Sequence, residues 1–216
     1  MLILHTKEFC FMKMNELKLV YFSPTGTTRK VIMEAARSID LKSTSFDFSV
    51  YKEKKPVLKF AENDFVLFGM PVYYGRVPAL FTEYLANVTG NGTPAALIAT
   101  YGCREYEDAL LELKDIVEKN GFKVIGAAAF PTEHSLVETV GARRPNKADM
   151  KVISEYGVDL NRRIKNLTAS KALTSRFPGT RLTENTAKPR FSRKPMSVCV
   201  QSARHAQKSV RLERSP

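Results

Sequence analysis

Tryptophan is absent from the sequence, and cysteine and histidine each occur only three times in 216 residues. The cysteines, Cys10, Cys103 and Cys199, lie far apart and are odd in number. Small domains that depend on disulfides have a higher density of cysteine and an even count. The sequence therefore excludes a disulfide framework and favours a reducing compartment, so we expect a cytoplasmic location.

Long apolar runs are also missing. No segment approaches the roughly 18 consecutive apolar residues of a membrane-spanning helix. The chain begins MLILHTKEFCF, with four apolar residues before His5, whereas a secretory signal has an apolar stretch of about 7–15 residues. We expect no membrane partner and a disordered N-terminal extension over residues 1–14, with translation starting at Met1, Met12 or Met14.

The motifs of hydrolytic and metal-dependent enzymes are absent as well. The sequence contains no HExxH pair, no His/Cys cluster at metal-ligand spacing and no convincing Ser-His-Asp set. We therefore predict no catalytic acid, base or nucleophile and no metal site. His134, in PTEHS, is either a surface-loop residue or a group that approaches the ligand.

Acidic residues are scarce in the last part of the chain. Residues 180–216 contain nine lysines and arginines but only two glutamates, a net charge of +7, which leaves +5 for the other 179 residues. Past Pro178-Gly179 the chain also loses its apolar periodicity, which is typical of disordered segments. We predict a folded domain over residues 15–179 and an irregular basic tail over residues 180–216.

What the sequence does contain is an alternation of apolar runs with amphipathic stretches. Helical patterns begin near Thr28, after Pro78, at Ala109 and before Ile153, and they separate five strand-like runs: LKLVYF, TSFDFSVY, FVLFGMPVYY, AALIATYG and FKVIGAAAF. Nearly continuous apolar strands that alternate with helices indicate a parallel sheet covered on both faces. Right-handed crossovers make such a sheet doubly wound. The prediction is an α/β three-layer sandwich.

Ligands of doubly wound sheets bind beyond the carboxyl ends of the strands, and the first loop at that edge is rich in hydroxyl groups. Main-chain N–H groups and hydroxyls at the start of a helix bind phosphate, and a glycine lets the backbone close around it. No Walker-type lysine follows, which argues against a nucleoside triphosphate. A threonine helix cap is the alternative. The first loop comprises Ser23, Pro24, Thr25, Gly26, Thr27 and Thr28.

Two further loops at this edge contain tyrosine and glycine. Exposed aromatic rings stack on flat ligands, and a glycine lets main-chain groups approach the ligand. The alternative is that the tyrosines only close the edge of the sheet. Cys103 is interpreted as a small filler rather than a redox thiol, and Arg76 either acts on the cofactor or its loop or is solvent-exposed. All three loops together fit flavin mononucleotide (FMN). The second loop supplies Pro71, Val72, Tyr73, Tyr74, Gly75 and Arg76, and the third supplies Thr100, Tyr101, Gly102, Cys103 and Tyr106.

The pattern Ser23-x-Thr25-Gly26-x-Thr28 resembles the phosphate loop of flavodoxins. Four segments in order resemble the flavodoxin module of flavodoxin–ferredoxin fusion proteins over about Leu17 to Gly179: YFSPTGTTRK, GMPVYYGRVPAL, ATYGCREYEDALLELKDIVEKNGFKVIGAAAFPTEHS and RRPNKADM. The resemblance implies a flavodoxin-like sandwich with five parallel strands in the order 2-1-3-4-5. It also implies that residues 23–28 hold the FMN phosphate and that residues 72–76 and 100–103 flank the isoalloxazine.

The tail departs from this family. Such fusions end in cysteines spaced C-x2-C-x2-C-x3-C-P, which bind a [4Fe–4S] cluster, whereas the tail has only Cys199. The genetic code allows several codons for most residues of CVQSARHAQKSVRLERS. With a suitable choice among them, the reading frame that starts at the third base of each codon can encode CAVCKACAEVCPVGAI. We hypothesise a one-nucleotide shift between Gly179 and Cys199, with a natural basic tail as the alternative. Either way, we expect no iron–sulfur cluster in this chain.

The sequence therefore predicts an FMN-binding electron-transfer protein whose partner is a redox protein such as a ferredoxin or a reductase. One alternative keeps FMN but makes the protein an enzyme that reduces a quinone-type acceptor with NAD(P)H. A second alternative is a flavin-free binding module whose basic tail contacts nucleic acid. The first interpretation expects no specific nucleic-acid partner.

Overall fold

The computed structural model describes residues 14–50, 56–103, 105–137 and 139–170. The predicted tail over residues 180–216 and the predicted extension before Met14 lie outside these ranges. The elements follow in the order β1 (Leu17–Tyr21), α1 (Thr27–Arg37), β2 (Ser43–Asp47), β3 (Leu58–Phe60), β4 (Phe65–Pro71), α2 (Ala79–Leu85), β5 (Val88–Gly90), β6 (Thr93–Tyr101), α3 (Ala109–Lys119), β7 (Phe122–Pro131) and α4 (Lys147–Ser170).

Five of these strands form one sheet in the order β2-β1-β4-β6-β7, and every neighbouring pair is parallel. Counted within this sheet alone, the order is 2-1-3-4-5, which confirms the predicted flavodoxin-like sandwich. The central strands are buried on both faces: every residue of β6 and all but the last of β4 are buried. Burial on both faces explains why their sequences are continuous apolar runs.

The core lies in two layers, one on each face of the sheet. Successive side chains of a strand point to opposite faces, so Phe65 and Leu67 of β4 pack in the layer with α1 and α4, whereas Val66 and Phe68 pack in the layer with α2 and α3. Met14, the last residue of the predicted extension, is also buried in the α1/α4 layer. The helices thus hold the sheet from both sides, which leaves the ends of its strands to form loops.

Several local features differ from the sequence prediction. Strands β3 and β5 were not predicted, and they pair with each other in a separate two-stranded parallel sheet. They are three residues long, too short to show a periodic pattern. The third predicted strand, written through Tyr74, ends at Pro71 because the chain turns there.

Among the described residues, none of the helices has both the length and the apolar composition required to cross a membrane.

Candidate functional site

The three predicted loops lie at one edge of the sheet and line a common cleft, together with a fourth loop after β7. The cleft has a volume of about 50 Å³, below the roughly 300–1,000 Å³ of typical ligand pockets. A larger ligand bound here would therefore extend over the rim. The lining residues are Thr25, Thr27, Thr28, Pro71, Val72, Tyr73, Thr100, Tyr101, Gly102, Thr132, Glu133, His134 and Ser135.

The first loop is a tight turn that leads into α1. Gly26 occupies the N-cap position of α1 with a φ of 81°, and no side chain at this position caps the helix. The alternative of a threonine cap is therefore wrong. Its N–H donates to the carbonyl oxygen of Ser23 at 3.0 Å. The Ser23 hydroxyl instead accepts the N–H of Arg29 at 2.9 Å. Ser23, which is buried, therefore stabilises the turn through its carbonyl oxygen. Its hydroxyl caps the first turn of α1, although Ser23 itself precedes the helix.

The donors that face outward from the first loop are uncharged. The N–H groups of Thr27 and Thr28 lie in the first turn of α1, where a helix offers no acceptor and its dipole favours an anion. The exposed hydroxyls of Thr25 and Thr27 lie 3.3 Å apart. Lys30 lies nearby, but its ammonium donates to the carbonyl oxygen of Pro145 at 3.2 Å. The donor set suits an anion held by hydrogen bonds rather than by an ion pair.

The Thr28 hydroxyl belongs to a buried pair. It lies 2.8 Å from the hydroxyl of Thr100, and the two residues are each about 2% exposed. The carbonyl oxygen of Thr100 also accepts the N–H of Val72 at 2.8 Å. Thr28 and Thr100 therefore connect the first, second and third loops. Their hydroxyls share a hydrogen bond, and the Thr100 hydroxyl also lies 3.5 Å from the carbonyl oxygen of Met70, to which it donates.

The second loop is a tight hairpin-like turn. Tyr73 and Arg76 exchange main-chain hydrogen bonds of 3.1 and 3.0 Å. Between them Tyr74 and Gly75 both have positive φ, 52° and 75°, as a type I′ turn requires. The Tyr73 ring packs edge-on against Phe22 at 6.5 Å, and desolvation raises the pKa of its hydroxyl. Tyr74, at the tip, is 98% exposed, so the two rings have different surroundings.

Arg76 connects the second loop to α3. Its guanidinium donates two hydrogen bonds of 2.8 and 2.9 Å to the carboxylate of Glu112, which also accepts the N–H of Val77 at 2.9 Å. The bond from Arg76 lowers the pKa of Glu112. Arg76 therefore holds its loop through Glu112, while its side chain is also 65% exposed to solvent. Glu112 was not predicted, because it is 36 residues away in sequence.

The third loop contributes Thr100, Tyr101 and Gly102 to the lining of the cleft. Cys103 has a φ of 58°, and its thiol donates to the carbonyl oxygen of Thr132 at 3.5 Å, which agrees with a small filler. The Tyr106 ring meets that of Tyr101 edge-on at 5.6 Å and packs against the core. Tyr106 and Cys103 therefore stabilise the third loop by packing against other residues, and they are not among the residues that line the cleft.

The fourth loop, residues 132–137, is the part of the site that the sequence analysis did not assemble. Thr132 is tied to the third loop, because its N–H donates to the carbonyl oxygen of Tyr101 at 2.8 Å. Glu133 accepts the N–H of Arg143 at 2.8 Å. His134, considered as a surface residue or as a neighbour of the ligand, lines the cleft. Applying the carboxyl-end rule to the fifth sheet strand would have found this loop.

No family model matches the sequence, and no curated protein matches it. Among solved structures, the chain is similar to the Flv1 flavodiiron core from Synechocystis sp. PCC6803, with 17% identity, a TM-score of 0.49 and coverage of 72% of this chain. The match spans only 37% of the length of that core.

Two complete chains are also similar. A flavodoxin from Streptococcus pneumoniae TIGR4 has 16% identity, a TM-score of 0.47 and coverage of 68% of this chain and 98% of the other. An azoreductase from Bacillus anthracis has 12% identity, a TM-score of 0.47 and coverage of 69% and 100%. These likenesses concern the fold alone, and the fold assignment rests on the strand order described above.

Proposed function

We propose that the cleft binds FMN and that the protein transfers electrons through this cofactor. The observation that carries the proposal is the convergence of chemically different loops on one cleft. The threonine-rich start of α1, the Tyr73 turn and the segment Thr100–Gly102 all line it. FMN has a phosphate for the first of these and a flat ring system for the other two.

The first loop fits a phosphate monoester. Main-chain N–H groups of Thr27 and Thr28 and the exposed hydroxyls of Thr25 and Thr27 are short, neutral donors at the positive end of a helix dipole. The left-handed conformation of Gly26 forms the tight turn between Thr25 and Thr27, and Thr25, Thr27 and Thr28 all line the cleft. A mononucleotide fits this donor set better than a nucleoside triphosphate, for which a lysine would be expected.

The second and third loops fit a planar heteroaromatic ring. Tyr73 and the exposed Tyr74 provide aromatic surface, and an aromatic pair adds about 0.5–1.5 kcal/mol beyond the burial of its area. A fully exposed tyrosine at positive φ gains no packing energy in the isolated protein, so a stacking partner would account for it. Bound flavin supplies the one- and two-electron chemistry, while this chain binds the ring, orients it and excludes water from one face.

The function also implies a partner. We propose a redox protein such as a ferredoxin or a reductase, because the cleft is too small to enclose a flavin ring and Tyr74, next to the cleft residue Tyr73, is 98% exposed. Electron transfer between proteins requires the cofactor edge to approach the surface, and an open cleft allows that. A cytoplasmic location is part of the same proposal.

We propose in addition that residues 180–216 are the out-of-frame product of a gene for a flavodoxin–ferredoxin fusion. The support is the set of cysteines that permitted codons yield at the spacing of a [4Fe–4S] ferredoxin. The nucleotide sequence tests this directly: the shifted frame must encode CAVCKACAEVCPVGAI or a close variant. A shifted frame without these cysteines would leave a natural basic tail.

Titration of flavin-depleted protein, followed by quenching of flavin fluorescence, tests FMN binding. We expect FMN to bind at least about tenfold more tightly than riboflavin, because hydrogen bonds to a charged group contribute roughly 1.5–3 kcal/mol each. The double variant T25V/T27V should lose affinity for FMN but not for riboflavin. Thr89→Val, an exposed threonine on β5, is the matched control and should bind both as wild type does. Failure of the wild-type protein to bind any flavin would refute the proposal.

A further inference from the structure

His134 is held in one tautomer by its own loop. Its Nδ1 atom accepts the main-chain N–H groups of Leu136 at 3.1 Å and Val137 at 3.2 Å. The N–H of His134 itself donates to the carbonyl oxygen of Val140 at 3.0 Å. A neutral imidazole has one donor and one acceptor nitrogen, so a ring that accepts at Nδ1 carries its proton on Nε2.

The position of the ring is set by Gly102 in the third loop. A Cβ atom at position 102 would lie 2.5 Å from Cδ2 of His134 and 2.9 Å from its Cα atom, so only glycine leaves space for the imidazole. Because Nε2 is bonded to Cδ2, its N–H lies at the side of the ring nearer the third loop. The ring is half-buried and lines the cleft. Its hydrogen bonds with other described residues involve Nδ1 and not Nε2.

Glu133 precedes His134 in the sequence, but its carboxylate does not accept a hydrogen bond from Nε2 of His134. Glu133 accepts the N–H of Arg143, and its own N–H donates to the carbonyl oxygen of Arg144 at 3.2 Å. The fourth loop thus satisfies Nδ1 by main-chain groups and leaves Nε2–H as a neutral donor on a ring that lines the cleft.

We propose that His134 is a specificity-determining residue of the cleft, which donates a hydrogen bond from Nε2 to an acceptor atom at the edge of the bound ring system. The inference rests on the proposed binding of FMN, whose isoalloxazine carries carbonyl oxygens and ring nitrogens that accept such a bond. The residue selects a heteroaromatic ligand with an acceptor at that edge over an apolar ring of the same size.

Two substitutions separate this role from support of the loop. In His134→Asn the amide oxygen replaces the Nδ1 acceptor for Leu136 and Val137, while the Nε2 donor is lost. In His134→Gln the amide nitrogen reaches the Nε2 position as a donor, while the Nδ1 acceptor is lost. Titration of each flavin-depleted full-length variant with FMN, and urea unfolding of each, give the two readouts.

We expect H134N to unfold as wild type does but to bind FMN about 3- to 10-fold more weakly, the effect of one lost hydrogen bond. We expect H134Q to bind FMN more tightly than H134N despite a less stable fold. Equal FMN affinity of H134N and wild type would overturn the role of His134 and leave FMN binding intact. Absence of FMN binding to the wild-type protein would overturn both.

A third measurement does not depend on the flavin. Long-range ¹H–¹⁵N spectra of the flavin-depleted protein at pH 8, with the His134 signals identified by their absence in H134Q, report which ring nitrogen carries the proton. We expect protonated Nε2 and unprotonated Nδ1. The opposite tautomer would overturn the inference.

Discussion

Thr28 and Thr100 come from elements 72 residues apart in sequence, and their hydroxyls meet in a buried site. The pair lies where α1 begins and β6 ends, and the main chain of Thr100 also holds Val72 of the second loop. A buried hydroxyl without a partner is costly. These two residues therefore determine how the first loop sits relative to the loops that would contact a flat ring.

Replacing Thr100 by valine keeps the volume but removes the partner of Thr28. We expect T100V to reduce the free energy of unfolding by about 1–3 kcal/mol, the cost of an unsatisfied buried polar group. The double variant T28V/T100V should cost less than the sum of the two single variants, because both polar groups are then removed. Urea unfolding of all four proteins measures the coupling, and strictly additive effects would show that the two hydroxyls do not depend on each other.

Gly102 provides a second prediction at the scale of the residue. In Gly102→Ala the new Cβ would overlap the ring and the Cα atom of His134, so the fourth loop must move. We expect a loss of about 1–3 kcal/mol in stability, as for other overpacked sites, together with weaker FMN binding. Gly92→Ala is the control, since the positive φ of 68° at Gly92 strains alanine there, but Gly92 lies next to the opposite end of β6. The control should change stability without changing FMN affinity, and equal losses of affinity in both variants would contradict this reasoning.

At the scale of the element, α1 and α4 pack closely because Gly157 has no side chain. A Cβ atom at position 157 would lie 2.2 Å from the carbonyl oxygen of Ala35. Nearby, the hydroxyls of Ser38 and Ser154 are 2.9 Å apart. Small residues thus let the two helices that cover one face of the sheet approach each other backbone to backbone.

In Gly157→Ala, a gain in helix propensity opposes a loss of close packing between α1 and α4. Alanine gains about 1 kcal/mol over glycine in a helix interior, but a contact with a backbone atom can be relieved only by moving the helix. We expect a net loss of about 1–3 kcal/mol, measured by urea unfolding. Val158→Ala, at an exposed position of the same helix, should stay within about 0.5 kcal/mol of wild type. A stabilised G157A protein would show that the helices do not pack as described.

The elements that the sequence predicts well are those with a strong repeating pattern. The five predicted sheet strands and the amphipathic faces of α1, α3 and α4 are present. The side-chain oxygen of Asn146 caps α4 by accepting the N–H of Ala148 at 2.8 Å. Strands β3 and β5 lack such a pattern because three residues span less than two full alternations. Arg144 forms a largely buried ion pair with Asp149, and nothing local in the sequence indicates that partner.

The same distinction holds for the site. That three loops share an edge follows from topology alone, because the carboxyl ends of parallel strands meet there. The internal partners of Ser23 and Arg76 depend on contacts between distant parts of the chain, and periodicity carries no information about them. The sequence therefore predicts where the site lies better than which of its side chains are available to a ligand.

At the scale of the whole molecule, acid should loosen the contact between the second loop and α3. The hydrogen bond from Arg76 keeps the pKa of folded Glu112 below its ordinary value of 4.5. A lowered folded pKa contributes stability that is complete above the unfolded value and lost as the pH falls through the folded value. We expect the urea midpoint of the wild-type protein to fall as the pH is lowered below about 4.5.

Glu112→Gln tests this dependence. The variant keeps an acceptor for Val77 but loses the charge, so it should be less stable than wild type at pH 7 and should lose less stability between pH 7 and pH 3.5. Urea unfolding at both pH values provides the comparison. Parallel pH profiles of the two proteins would show that Glu112 does not contribute to the acid sensitivity.

Four loops, which follow strands in both halves of the sheet, contribute residues to one cleft. The visible absorption spectrum of the freshly purified full-length protein, followed by acid release and identification of the cofactor, tests FMN binding most directly. We predict the bands of an oxidised flavin and release of equimolar FMN rather than FAD. A colourless protein that takes up no FMN when the cofactor is added would contradict the proposal.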